Sequence, residues 1–120
     1  MKQDDRSTTV FQLRDLVQRF VDQRRWRGYH SPKNLAMALA IEVAELMEHF
    51  QWLTVDASRA AADDPQRRDE IGEELADVMC YLLAMANVLN IDVATAVRDK
   101  MQKNESKYPV EDNPFPPWDE

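Results

Sequence analysis

Two pairs of acidic residues, each set in an apolar stretch, constrain this chain more than any other feature of its sequence. Glu42 and Glu45 form the first pair, and Glu74 and Asp77 form the second. Residues three apart lie on one face of an α-helix, about one turn from each other, so each pair presents two carboxylates from a single stripe. Because the neighbouring residues are apolar, the pattern predicts two helices whose acids lie at the edge of a core or inside it.

Carboxylates brought together in an apolar setting repel one another, and the repulsion grows as water is removed. A hard divalent cation relieves this conflict, and ligand sets made only of oxygen favour Mg²⁺, Mn²⁺ or Ca²⁺ over zinc. The same spacing is also common on solvated helix faces that have no ligand. The spacing alone therefore leaves two interpretations open, a metal site and a solvated acidic face.

The rest of the sequence favours an all-α fold. The chain of 120 residues has 2 glycines and little clustering of β-branched residues, a composition typical of helices. That length suffices for one domain with one modest core. We expect a single domain over residues 1–120, with a core at about 9–109 and a proline-rich tail at 110–120.

Apolar periodicity and capping signals predict four long helices, and a short helical turn at 58–62 is the alternative fifth. The long helices are placed at about residues 9–25, 32–52 and 65–89, with the fourth after the cap at residue 92. Thr9 and Gln12 match a capping box, and the dipeptides at 31–32 and 64–65 are caps followed by proline. The first helix is expected to end at about residue 25, and Gly28 breaks the apolar pattern after it.

The second predicted helix is apolar nearly all round over residues 35–41. A helix of that kind is buried on several sides, so it belongs at the centre of a bundle or in an oligomer interface, with Glu42 and Glu45 partly buried. Cys80 is expected to be a small core residue rather than a nucleophile. The residues expected to face inward on the other helices are Phe11, Leu13, Leu16, Val17, Phe20, Val21, Ile71, Leu75, Val78, Met79, Leu82, Leu83, Met85, Ala86, Val93, Ala96, Val97 and Met101.

The formal charge of −7 at pH 7 argues against binding to duplex nucleic acid, which needs a basic stripe. No apolar run is long enough to span a membrane, and the polar N-terminal segment carries no export signal. A single cysteine cannot form an intrachain disulfide, which fits a reducing compartment. We therefore expect a cytoplasmic protein that contacts neither membranes nor duplex nucleic acid.

With these residues in place, the chain resembles the all-α nucleoside triphosphate pyrophosphohydrolases of the MazG-like superfamily and, among them, the dCTP pyrophosphatase branch. The core motif of that family, E-x-x-E followed by E-x-x-D, matches the two acid pairs. Three flanking patterns also match in order: W-x-x-x-H-x-P-x-N-L at 26–35, F-Q-W at 50–52, and K-M-x-x-N-x-x-x-Y-P at 100–109. The resemblance covers about residues 9–109 and implies a bundle-like fold of four helices.

The resemblance implies that Glu42, Glu45, Glu74 and Asp77 bind Mg²⁺, which Mn²⁺ can replace, and that the same four acids carry catalysis. The implied reaction is hydrolysis of a nucleoside triphosphate between its α- and β-phosphates, in the cleaning of the nucleotide pool. A metal ion then serves as Lewis acid while a carboxylate-bound water attacks the α-phosphorus. Glu45 is the expected base, although the sequence does not single out one acid.

The resemblance also assigns contacts with the substrate. It places Trp26, His30, Trp52 and Tyr81 around the base, and Lys100, Asn104 and Lys107 at the phosphates. Tyr81 lies one helical turn after Asp77, and Trp52 lies two turns after Glu45 if the second helix stays regular to its end. Without the resemblance, Trp52 and Tyr81 could be ordinary core aromatics, and the three polar residues could be a solvated last turn.

Several alternatives stay open. The expected substrate is dCTP or a 5-modified dCTP, with dUTP or other noncanonical triphosphates as alternatives. A non-catalytic helical module that oligomerises is the rival from another class. A ferritin-like di-iron bundle is excluded, because it needs Glu-x-x-His pairs and the residues three before His30 and His49 are Arg27 and Leu46. The family resemblance implies a homotetramer built as a dimer of dimers.

Overall fold

The computed structural model describes residues 3–110, and all of the regular structure in that range is helical. The helices are α1 (Val10–Gln23), α2 (Pro32–Glu48), α3 (Val55–Arg59), α4 (Pro65–Leu89) and α5 (Val93–Lys107), with 3-10 turns at Arg27–Tyr29 and Ala61–Asp63. The all-α prediction is confirmed. The chain divides into two compact units, the first ending at Asn90 and the second beginning at Ile91. The single domain expected over residues 1–120 stays a prediction.

The helices begin where the capping signals of the sequence place them. Thr9 and Gln12 form the predicted capping box, with reciprocal hydrogen bonds of 3.1 and 2.8 Å. Ser31, Asp64 and Asp92 each accept a hydrogen bond from a backbone N–H in the first turn of the helix that follows. These contacts are local and need no tertiary packing, which is why the sequence predicts them.

Helix α1 ends at a left-handed residue rather than at a glycine. Arg25 has a φ of 55°, and the Trp26 N–H bonds back to the Val21 carbonyl at 3.0 Å, which closes a Schellman-type helix end. Gly28 lies three residues further on, in the 3-10 turn. The helix therefore ends at Gln23, close to the predicted end at about residue 25, and the left-handed Arg25 rather than Gly28 closes it.

Helix α2 is shorter than predicted, since it ends at Glu48 rather than Trp52. The N–H groups of His49 and Phe50 bond to carbonyls only three residues back, at 3.2 and 3.0 Å. Bonds of that reach tighten the last turn and take the chain off the helix axis. As a result, Trp52 does not continue the face that carries Glu45.

Helix α4 is the central element of the first unit, because both α1 and α2 pack against it. Ala38 of α2 lines a cavity together with Tyr81 of α4, and one turn later Glu42 lies beside Glu74. Residue numbers rise along α2 as they fall along α4, so the two helices are antiparallel. Leu35, at 2% exposure, anchors the start of α2 in the core.

Two side chains join α1 to α4 by reciprocal hydrogen bonds. Arg14 donates from Nε to Asn87 Oδ1 at 2.9 Å and from Nη2 to the Ala86 carbonyl at 3.1 Å. Asn87 Nδ2 donates in return to the Arg14 carbonyl at 3.1 Å. Because these groups are partly buried and paired, they fix the position of α1 along α4.

The first unit buries few of the apolar side chains that it carries. The buried ones are Val21, Leu35, Ala61, Leu83, Ala84 and Ala86. Several residues expected to face inward are instead exposed, which corrects the prediction: Phe11, Leu13, Leu16, Phe20, Leu75, Met79, Leu82 and also Cys80. Helices this apolar have more than one hydrophobic face, and one chain covers only part of them.

The second unit contains α5. Asp92 Oδ2 accepts a hydrogen bond from the Thr95 N–H at 3.0 Å, which confirms the predicted cap. Val97 and Met101, expected to face inward, are exposed. Residues 111–120, which make up most of the predicted tail, lie outside the described residues. Between residues 3 and 110, no single helix is long and apolar enough to cross a membrane.

Candidate functional site

Three glutamates from two helices meet where α2 packs against α4. Glu42, Glu45 and Glu74 each place a carboxylate oxygen within 4.8 Å of the others, and all three residues are half-buried. The i, i+3 spacing on α2 puts Glu42 and Glu45 on one face, and the packing of the two helices brings Glu74 against that face. The partial burial expected for Glu42 and Glu45 is confirmed. Asp77, one turn after Glu74, is exposed and lies outside this group of three, which we call the carboxylate cluster.

The cluster is electrostatically strained. Burial is the main cause that raises the pKa of Glu42, and the neighbouring carboxyl groups raise it further. Burial also raises the pKa of Glu74, with further contributions from Glu45 and Asp77. The His49 imidazole acts on Glu74 in the opposite direction. Asp77 therefore lies close enough to act on both half-buried glutamates, and the half-buried His49 also lies near the cluster.

Two oxygens of the cluster have no partner. Glu42 Oε2 and Glu74 Oε2 are buried and accept no hydrogen bond from any described residue. The ion pairs found within residues 3–110 belong to other acids, namely Asp15, Asp22 and Asp56. Buried carboxylate oxygens without a donor or a cation are costly, and a hard divalent cation supplies what they lack. A set of carboxylates fits Mg²⁺ or Mn²⁺ better than zinc.

A largely apolar cavity of about 390 Å³ adjoins the cluster, and we call it the base cavity. Its lining consists of Leu16, Val17, Phe20, Val21, Trp26, His30, Asp77, Cys80, Tyr81 and Ala84. Asp77 joins it to the cluster, because its side chain lines the cavity while its charge acts on both half-buried glutamates. A neighbouring cavity of about 340 Å³ shares Trp26, His30 and Tyr81. Three of the four residues that the resemblance assigns to the base therefore lie together.

The turn between α1 and α2 positions Trp26 and His30. Arg27 donates two hydrogen bonds to the Asp22 carboxylate, at 2.5 and 3.0 Å, and these bonds lower the pKa of Asp22. Asn34 Nδ2 donates to a carbonyl of the turn at 3.1 Å. The W-x-x-x-H-x-P-x-N-L pattern thus has a structural basis, since its later residues hold the turn that presents Trp26 and His30 to the cavities.

Trp52 does not join these residues within one chain. It is 88% exposed and is absent from the lining of the base cavity, so it is not a core aromatic. The expected alignment of Trp52 with Glu45 is also wrong, because α2 ends at Glu48. A contact between Trp52 and the base stays a prediction.

The residues expected at the phosphates all lie on α5, in the second unit. Asn104 is half-buried, and its carbonyl accepts a hydrogen bond from the Tyr108 N–H at 2.8 Å. Lys100 and Lys107 are exposed, and the Lys107 ammonium lies 5.3 Å from the centre of the Tyr108 ring. Their contacts with phosphates stay a prediction.

Helix α1 contributes more to the site than the sequence indicates. Leu16, Val17 and Phe20 line the base cavity, although apolar periodicity assigned them to the core. The i, i+4 spacing of Leu16 and Phe20 shows that they share a face. It does not show that this face borders a cavity, which only the packing of α1 on α4 determines.

The sequence is similar to that of known enzymes. A model of the MazG-like family matches residues 37–114, the segment that carries all four acids. dCTP pyrophosphatase 1 of Rattus norvegicus is 40% identical over 102 residues, covering 85% of this chain and 60% of that protein, and the Homo sapiens protein of the same name gives the same values. The chain spans about 60% of the length of the curated relatives that it matches.

A solved structure agrees in fold as well as in sequence. The crystal structure of a pyrophosphatase from Archaeoglobus fulgidus is similar to this chain, with a TM-score of 0.79 and 43% identity. The match covers 90% of this chain and 99% of that one. The family match, the identity over most of the chain and the shared fold lead to one conclusion: the chain belongs to the MazG-like family.

Proposed function

We propose that this protein is a nucleoside triphosphate pyrophosphohydrolase, which splits its substrate into a monophosphate and pyrophosphate. The observation that carries the proposal is the carboxylate cluster, with two buried oxygens that have no partner. Similarity to dCTP pyrophosphatase 1 and to the Archaeoglobus fulgidus pyrophosphatase supports the same class of reaction.

Glu42, Glu45, Glu74 and Asp77 are the residues that would hold Mg²⁺, which Mn²⁺ can replace. When bound, the ion neutralises phosphate oxygens and stabilises the charge that develops during phosphoryl transfer. The unpartnered oxygens of Glu42 and Glu74 and the exposed carboxylate of Asp77 support this assignment.

Glu45 is the proposed base. Its carboxylate, on α2, lies within 4.8 Å of those of both Glu42 and Glu74, whereas Asp77 lies outside the carboxylate cluster. In the proposed step, a Glu45 oxygen takes a proton from water as the water oxygen bonds to the α-phosphorus. The bond from that phosphorus to the bridging oxygen breaks, and pyrophosphate leaves.

The proposed substrate is dCTP or a 5-substituted dCTP, with its phosphates at the cluster and its base in the base cavity. Trp26 and Tyr81 offer aromatic surfaces for stacking, and His30 offers a polar group for the edge of the base. Stacking tolerates any base, so discrimination must come from hydrogen bonds and from the shape of the cavity. The same chemistry on dUTP or on other noncanonical triphosphates is the alternative.

Pyrophosphate release over a panel of triphosphates, with Mg²⁺ varied, tests the proposal. The panel is dCTP, 5-methyl-dCTP, CTP, dUTP, dTTP and dATP. We expect release to require Mg²⁺ and kcat/KM to be highest for dCTP or 5-methyl-dCTP. A strong preference for dUTP would keep the reaction and change the substrate. No release from any triphosphate would favour the rival interpretation, a non-catalytic helical module.

We also propose that the protein is a homo-oligomer, a tetramer built from two dimers. The support is the apolar surface that the first unit leaves uncovered, which includes Phe11 at 77%, Ile41 at 60% and Leu16 at 58% exposure. Exposed apolar side chains in such number on neighbouring helices are typical of association surfaces.

A further inference from the structure

Three contacts hold the Phe20 side chain and backbone at the end of α1. The Phe20 ring packs edge to face against Trp26, with 5.7 Å between the ring centres and 73° between the planes. The guanidinium carbon of Arg24 lies 3.6 Å from the centre of the Phe20 ring. Arg24 Nη1 also donates a hydrogen bond to the Phe20 carbonyl at 3.2 Å. Each ring contact favours one ring orientation, so Phe20 is fixed from two sides.

The backbone that brings Trp26 to Phe20 is itself unusual. Arg25 adopts the left-handed conformation, and the Trp26 N–H bonds to the Val21 carbonyl at 3.0 Å. This reversal of the chain returns Trp26 to the last turn of α1. A left-handed arginine is unfavourable by itself, so the surrounding contacts must hold it in place.

Phe20 and Trp26 form a fixed wall rather than part of the core. They remain 48% and 42% exposed, and both line the base cavity together with Asp77 and Tyr81. Asp77 marks the side of the cavity that adjoins the carboxylate cluster. A base that extends from phosphates at the cluster therefore meets a wall whose two rings hold each other in position.

We propose that Phe20 is a specificity-determining residue that limits the base to a single ring, and that Arg24 is a positioning residue that acts through Phe20. This inference rests on the proposed function. On this proposal, a pyrimidine would leave the wall in place, whereas the second ring of a purine would reach the space that Phe20 occupies. Movement of Phe20 breaks its contacts with both Trp26 and Arg24, so the purine is disfavoured.

The variants Phe20→Leu and Phe20→Ala test the role of the ring. We measure kcat/KM for dCTP and dATP, and we measure binding of dCMP and dAMP in Mg²⁺ by calorimetry, which needs no turnover. The dATP to dCTP ratio is expected to rise roughly tenfold or more in Phe20→Ala, and by less in Phe20→Leu. The dAMP to dCMP affinity ratio is expected to rise in parallel. Should Phe20→Ala fail to fold, Phe20→Leu carries the test.

The variants Arg24→Gln and Arg24→Lys test the positioning role. Arg24→Gln removes the cation and should weaken dCMP binding about two- to fivefold, whereas Arg24→Lys keeps the cation and should restore the affinity. Arg19→Gln is the matched control, because Arg19 lies on the same helix in an exposed ion pair with Asp15 and does not line the base cavity. It should leave dCMP binding unchanged.

The outcomes separate this inference from the proposed function. Unchanged base ratios in both Phe20 variants, or a wild type that treats dATP and dCTP alike, would overturn the inference and leave the reaction intact. A further outcome is a protein that hydrolyses no triphosphate but still binds dCMP more tightly than dAMP, with a smaller difference in Phe20→Ala. That result would overturn the proposed reaction and support the role of Phe20 in base selection. Equal affinity for dCMP in Arg24→Gln and Arg24→Lys would show that Arg24 does not position Phe20.

Discussion

Two residues of the carboxylate cluster, Glu42 and Glu74, have raised pKa values. Glu42 and Glu74 are held in a setting that disfavours their charged forms, because burial and neighbouring carboxyl groups both raise their pKa. In a protein without a cation, this is a cost of folding rather than a gain. The residues that are proposed to bind a cation therefore destabilise the fold when no cation is bound.

This cost predicts how stability depends on pH. A raised pKa means that the folded chain binds the proton more tightly than the unfolded chain does. The metal-free protein should therefore lose stability as the pH rises from the ordinary value of 4.5 through the raised pKa values of Glu42 and Glu74. Melting temperatures in chelator from pH 4 to 8 measure this. Glu42→Gln should melt higher than the wild type at pH 8, and Mg²⁺ should reduce the difference. A metal-free wild type that gains stability over this range would contradict the assignment.

Removal of one carboxylate should abolish turnover without unfolding the chain. We expect Glu45→Gln to lower kcat/KM by about 100-fold or more, since changes even to the partners of metal ligands cost about 10–100-fold. Glu70→Gln is the matched control, because Glu70 is exposed on α4 and pairs only with Gln66 among the described residues. Steady-state kinetics and circular dichroism give the two readouts. Near-normal kcat/KM for Glu45→Gln in Mg²⁺ would remove Glu45 from the catalytic set.

At the scale of elements, the end of α1 stores conformational energy beside the site. Arg25 occupies the left-handed region that glycine favours. We expect Arg25→Gly to raise the free energy of unfolding by about 0.5–1 kcal/mol, because it relieves this strain. Arg19→Gly, in the middle of the same helix, should lower it by about 1 kcal/mol. Denaturant unfolding measures both. Equal destabilisation by the two variants would show that the arginine at position 25 is not strained.

The elements also show what the sequence can and cannot predict. The caps at Thr9, Ser31 and Asp64 and the spacing of Glu42 and Glu45 are local patterns, and local patterns were enough to predict them. The early end of α2 at Glu48 depends on how the chain turns after the helix, which periodicity does not encode. The left-handed Arg25 likewise depends on contacts around Trp26, and no glycine marks the position.

At the scale of the whole molecule, one chain leaves many of its large apolar side chains exposed. Leu75, Met79 and Leu82 carry the apolar periodicity of a core yet remain exposed in the single chain. Periodicity predicts which apolar side chains favour burial, but it does not show whether the surface that buries them belongs to the same chain. Periodicity does not predict the base cavity either, because its lining comes from helices that are distant in sequence.

The proposed tetramer fixes the mass that the protein should have in solution. We expect light scattering at micromolar concentration to give a multiple of the chain mass, four copies for the proposed tetramer. Ile41→Lys, on the exposed side of α2, should lower the mass because a charge cannot be buried unpaired in an apolar interface. Val55→Lys is the control, since Val55 is 68% exposed on the short helix α3. A wild type of single-chain mass would refute the oligomer.

In the proposed reaction, water attacks the α-phosphorus of a nucleoside triphosphate at the carboxylate cluster. The test of this step is hydrolysis of dCTP in ¹⁸O-labelled water with Mg²⁺ present. Mass spectrometry then shows which product carries the label. We expect one ¹⁸O atom in dCMP and none in pyrophosphate, and product formation that is about 100-fold or more slower with the Glu45→Gln protein. Label in the pyrophosphate, or products that are dCDP and inorganic phosphate, would contradict it.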